Sequence, residues 1–212
     1  MTATLDTPAR IRAWTPVHTD GYRCDRLEFD LDHGEHQRRQ ACGLGAIPDF
    51  RAINIMLELP GGHSLDYDGL SEMWRGEVRW LERRYPGALD VDRAGWNRTS
   101  VTRLASPILR PDLAIVEGKR YTKGHMNRAA HFAPQCRRAV VYSPAQAMKA
   151  DSFQLAEHDF CGVGLGQRAD DGGIQWLVQP RAYHVIGYRP ARWWFAETVY
   201  EQWLLHGEGG TR

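Results

Sequence analysis

The stretch Leu27-Glu28-Phe29-Asp30-Leu31-Asp32-His33-Gly34 decides how this chain is read. Two carboxylates, Asp30 and Asp32, stand two residues apart at the end of a short apolar run. Residues 25–32 read as a β-strand, where side chains alternate faces and positions i and i+2 point the same way. Both acids then project from one face, beside a glycine that ends the strand. Like charges held that close are costly unless a cation neutralises them. A hard divalent ion such as Mg²⁺ favours oxygen ligands of this kind, often shared with a phosphate substrate. The plainer alternative is a strand end whose acids face water.

The 212 residues suffice for one core and an appended subdomain. Hydrophobic residues make up 42% and charged residues 25%, the balance of an ordinary soluble globular protein. No apolar run reaches the roughly 20 residues of a membrane span. Nor does Met1–Asp6 open a charged-then-apolar signal peptide. Cys24, Cys42, Cys136 and Cys161 form no CxxC pair, which argues against a zinc or iron–sulfur module. The expectation is a cytoplasmic protein with reduced thiols. Net charge is +1, but it is unevenly spread. Residues 101–150 carry 9 basic and 2 acidic residues, a local +7, while the rest is slightly acidic. Such a block suits a polyanion, or is chance clustering on a solvated face.

Working outward, residues 1–20 show no periodicity and read as a lead-in. A polar, helix-compatible stretch runs from Gly34 to Gly43. Ile53, Ile55 and Leu57 recur at period two, which predicts a strand over 50–59. Residues 63–70 read as a shorter strand. Ser71 is a natural N-cap, followed by Trp74, Val78, Leu81 and Tyr85 at helical spacing. Further strands are expected near 100–104, 113–116, 137–142, 160–165 and 174–178, with short helical character over 126–136. An aromatic-rich amphipathic helix over 191–205 closes the pattern. The expected class is α+β, with a mixed or antiparallel sheet and packed helices. The expected organisation is a lead-in (1–20), a catalytic α+β core (21–145) and a C-terminal extension packed on the core (146–212).

Three features follow in chain order: Asp30/Asp32, Gly61-Gly62-His63, and Asp90/Asp92. Paired glycines let backbone approach a ligand closely, and His63 is placed to hydrogen-bond a phosphate. A third carboxylate would complete a two-metal site for phosphoryl transfer.

With Phe29-Asp30-Leu31-Asp32 as first motif, Gly62-His63-Ser64-Leu65-Asp66-Tyr67 as second and Leu89-Asp90-Val91-Asp92 as third, the chain resembles the archaeo-eukaryotic primase (primase–polymerase) superfamily of plasmid and phage replicases. Thr102-Arg103 with Ser106-Pro107 resembles the basic turn of those replicases. The resemblance covers residues 20–142. It implies an RRM-like primase-polymerase core, and a DNA-binding nucleotidyltransferase acting in replication or repair. By that resemblance Asp30, Asp32 and Asp92 would hold two Mg²⁺ or Mn²⁺ ions. His63 would contact the nucleoside triphosphate. Arg98, Arg103, Arg110, Lys119, Arg120 and Lys123 would line the nucleic acid.

Three other readings compete. Pro111-Asp112 followed by Glu117-Gly118-Lys119 is a literal PD…ExK nuclease string, although four intervening residues are too few for its usual hairpin. Gly124-His125-Met126-Asn127-Arg128-Ala129 resembles a stretch of the flavin-binding PaiB-like split barrels and their haem-binding relatives, with His125 as the cofactor contact. The third is a non-catalytic nucleic-acid or protein-binding module. Oligomeric state is not legible.

Overall fold

The computed structural model describes residues 10–19, 21–147, 150–182 and 189–206. In chain order the elements are β1 (Arg10–Thr19), β2 (Tyr22–Asp32), α1 (His33–Cys42), α2 (Phe50–Glu58), β3 (Ser64–Asp66), α3 (Glu72–Arg84), β4 (Leu89–Ala94) and β5 (Asn97–Arg103). There follow β6 (Leu109–Gly118), α4 (Lys123–Ala130), β7 (Arg137–Tyr142), α5 (Pro144–Ala147), α6 (Ser152–Cys161), β8 (Gly164–Arg168), β9 (Ile174–Val178) and α7 (Arg189–Leu205). The class is α+β, with a six-stranded mixed sheet ordered β1-β2-β6-β7-β8-β9 and a small antiparallel sheet ordered β3-β5-β4.

Two compact units emerge, neither contiguous in sequence. The first takes Met1–Ile11, Leu31–Leu109 and Arg189–Glu201; the second takes Arg12–Asp30, Arg110–Tyr188 and Gln202–Arg212. These bounds differ from the expected lead-in (1–20), core (21–145) and extension (146–212). Residues 10–19 are a sheet strand, and β8 and β9 complete the same sheet rather than forming an appendage.

The first unit packs α2 and α3 on the three-stranded sheet. Ala52, Ile53, Met56, Val78, Leu81, Val101 and Trp193 share its apolar cluster. Residues 50–58 are helical, not the expected strand. Asp49 accepts hydrogen bonds from the backbone N–H groups of Arg51 and Ala52, which caps the helix. Ala52 and Met56, four apart, are both buried, whereas Leu57 is only partly so. The period-two isoleucines coincide with a helical stripe. Residues 63–70 supply only the three-residue β3. Ser71 caps α3 as expected, accepting from the Trp74 N–H.

The second unit builds on the six-stranded sheet. β6, β7 and β8 run parallel, and β9 turns back antiparallel to β8. Arg137–Tyr142 and Ile174–Val178 match the sequence expectation. The strand expected at 160–165 starts later. A capping box at Asp151/Gln154 opens α6, which continues to Cys161 and ends at Gly162 in the left-handed region. Within β7, Tyr142 meets His125 of α4 and Arg138 donates to the Cys161 carbonyl of α6. Side chains of this parity therefore face the helices. Arg137, Ala139 and Val141 point to the other, outer face.

Candidate functional site on the outer sheet face

The outer face carries a lattice of arginines and carboxylates. β2 buries Leu27, Phe29 and Leu31 and turns Glu28, Asp30 and Asp32 the other way. Asp30 and Asp32 thus share a face, as the strand reading requires. β1 does the same with Ala13, Thr15 and Val17 buried, leaving Arg12 and Trp14 half-buried opposite.

Arg12 is the hub. Its guanidinium lies 2.8 Å from Glu28, 2.5 Å from Asp112 and 3.2 Å from Asp30. Arg137 grips Asp112 through Nη2, at 2.8 and 2.7 Å from its two oxygens. Burial would push Asp112 up, but hydrogen bonds from Arg137 and Arg12 outweigh it and hold the carboxyl below its usual range. Arg26 pairs with Glu28 at 2.9 Å and lies over the Trp14 ring at 5.2 Å. Arg168 pairs with Glu117.

A cavity of about 240 Å³ opens in this face, lined among others by Arg26, Glu28, Arg137, Arg168, Ile174 and Trp176. Three guanidiniums line it, each paired with a carboxylate: Arg26 with Glu28, Arg137 with Asp112 and Arg168 with Glu117. Ile174 and Trp176 of β9 pack on the apolar patch of Leu113, Ile115, Ala139 and Val141 and form the apolar wall. They reach it because β8 offers no side chain at Gly166. A Cβ there would stand 2.6 Å from Ile174 Cγ2 and 3.0 Å from Trp176. The Nε of Arg26 is buried without a hydrogen-bond partner, so one donor of the cavity lining is unsatisfied. The arrangement suits an anionic group held by guanidinium forks beside an aromatic plane.

The sequence-predicted residues are placed differently. Asp30 is a counter-ion of Arg12, with Arg110 at 3.5 Å, and belongs to the second unit. Asp32 accepts from the Glu35 N–H at 3.0 Å and caps α1 in the first unit. His63 is exposed just before β3, and Asp92 accepts from Ser100 at 2.8 Å on β4. Asp90 and Asp92 fall opposite Thr102 and Ser100, the partners of Ser64 and Asp66, so all six share one face of the small sheet. Among the described residues no three His, Cys, Asp or Glu side chains group to hold a metal ion.

The expected nucleic-acid residues fall in both units. Arg98 is clamped by Glu82 at 2.8 Å. Arg103 donates to the Met56 carbonyl at 2.6 Å and lies over Trp193. Lys119 and Arg120 are exposed beyond β6, and Lys123 pairs with Glu157 at 3.3 Å. Asp112 and Glu117 of the PD…ExK string lie in one strand, β6, each held by arginine. His125 meets the Tyr142 hydroxyl at 3.2 Å, and burial followed by Arg128 lowers its pKa. Sequence reasoning missed Arg12, Arg26, Arg137, Arg168 and Trp176. For Arg12, Arg26 and Trp176 the signal is the alternation along β1, β2 and β9, visible only once those strands share a sheet; Arg137 and Arg168 stand at the ends of β7 and β8, whose burial does not alternate. Among the described residues no helix is long and apolar enough to cross a membrane. Comparison with protein-family models, with curated proteins and with solved structures finds no match in any of the three.

Proposed function

We propose that this chain is a nucleic-acid-binding protein whose outer sheet face holds a phosphate-bearing segment in the Arg26–Arg137–Arg168 cavity. The observation that carries the reading is a concave site lined by three guanidiniums, each held by a carboxylate that an anion can replace, beside a tryptophan wall. An incoming phosphate takes the place of Glu28 and Glu117 on Arg26 and Arg168, and Trp176 offers a plane for a base or sugar. Arg12 and Asp112 fix the neighbouring Arg137 in position.

The test is fluorescence anisotropy of a labelled single-stranded oligonucleotide across a salt series. Binding falls with salt, with a slope of about −0.7 per phosphate contact. Arg26→Ala and Arg168→Ala weaken binding to every sequence alike and flatten that slope. Variants that bind like wild type would sink the proposal.

Metal-dependent nucleotidyl transfer is the second reading, favoured by the shared face of Asp30 and Asp32. Primer extension with Mn²⁺ and nucleoside triphosphates separates the two. Synthesis that disappears in Asp30→Ala/Asp32→Ala would establish catalysis in place of binding alone.

A further inference from the structure

The β4–β5 hairpin of the first unit ends in a two-residue turn, Gly95-Trp96, between the paired Ala94 and Asn97. Gly95 has φ +64°, the positive value that tight hairpin turns demand of their first central residue. Trp96 is 99% exposed. A tryptophan in water forgoes the largest burial gain of any side chain, and exposed tryptophans mark surfaces that bury on binding.

The hairpin behind it is braced. Arg93 and Arg98 converge on the single carboxylate of Glu82 in α3, Arg98 through Nε at 3.1 Å and Nη2 at 2.8 Å. Arg98 also lies 5.9 Å over the Tyr67 ring. Arg83 and Arg84, the residues after Glu82, are exposed in the last turn of α3. Two guanidiniums thus close on Glu82, two more follow it in sequence, and Asp92 on the strand is already engaged by Ser100. Between residues 82 and 98 the four arginines stand against Glu82, Asp90 and Asp92, a net charge of +1.

We infer that the β4–β5 hairpin is a nucleic-acid contact in which Trp96 stacks on an unpaired base while Arg83, Arg84 and Arg93 meet the flanking phosphates. A base offers a π-face to an indole irrespective of sequence, and a positive surround favours the polyanion over an apolar protein groove. The inference rests on the nucleic-acid reading for its class of partner, but it uses a different surface, in the other unit.

Three variants are titrated with labelled single-stranded DNA, and in parallel with phosphatidylserine vesicles, since tryptophan and arginine also suit a lipid surface. Trp96→Ala should weaken oligonucleotide binding about 5- to 150-fold, and Trp96→Phe should restore most of it. The thermal midpoint of Trp96→Ala should match wild type, because the side chain packs on nothing. Arg26→Ala/Arg168→Ala is the third variant. Loss with Trp96→Ala but not with the arginine pair supports the hairpin contact and removes the cavity reading. The reverse pattern overturns the hairpin contact alone. Trp96-dependent binding to vesicles but not to DNA overturns it in favour of a lipid surface. A wild-type protein that binds no DNA overturns both.

Discussion

Arg39 and Glu197, 158 positions apart in sequence, form a two-pronged ion pair with both side chains fully buried, at 2.7 and 2.8 Å. The pair lies within a fully engaged network. Glu35 takes the Arg39 Nε at 2.7 Å, the Ser106 carbonyl takes Nη2, and Glu197 also accepts from the Ile47 N–H and the Trp193 indole. Burial alone would weaken the Arg39 cation, but Glu197 and then Glu35 outweigh it and raise its pKa.

Removing one partner leaves a buried charge uncompensated. Glu197→Ala should destabilise the fold by about 3–5 kcal/mol. Chemical denaturation should show an earlier midpoint, while Arg39→Met/Glu197→Leu should recover much of the loss. A single variant as stable as wild type would show that Arg39 finds another counter-ion.

His158 is fully buried, with Nδ1 3.0 Å from the Val163 carbonyl and Nε2 without a partner. Burial lowers its pKa below the ordinary 6.5, and His125 shifts the same way. The unfolded chain then binds more protons than the fold as pH drops through 6.5. Stability is full above that value and declines below it. Thermal melts from pH 7.5 to 5 should show the decline, and His158→Asn should flatten it.

Asp112 neutralises Arg12 and Arg137 together. Asp112→Ala should cost about 1–3 kcal/mol of stability through the lost charged hydrogen bonds. The same change unmasks Arg137 at the cavity, so DNA affinity at low salt should rise several-fold and converge on wild type at high salt. Unchanged affinity would place the bound phosphate away from Arg137.

Legibility followed the range of the forces. Local signals were readable. Ser71 capping α3 and the β7 and β9 boundaries depend on neighbours in sequence. The 50–58 segment misled because Ile53, Ile55 and Leu57 fit two periods, and the deciding cap, Asp49, lies just before them. β1 hid because a buried threonine, Thr15, interrupts its apolar face. The site was least legible. Arg12 meets Asp112 across 100 positions, a pairing that only sheet order creates. Asp30 and Asp32 alternate with buried neighbours along β2, but one meets an arginine and the other a helix end.

The interleaving of the two units bears on how the protein is made. Arg39 and Glu35 emerge from the ribosome early, yet the carboxylate that completes their network comes with residue 197. Until then Glu35 alone answers Arg38 and Arg39 of α1. Vectorial folding, domain by domain from the N-terminus, is therefore closed to the first unit. The first unit can complete its buried ion-pair network only once residues 189–201 have been made.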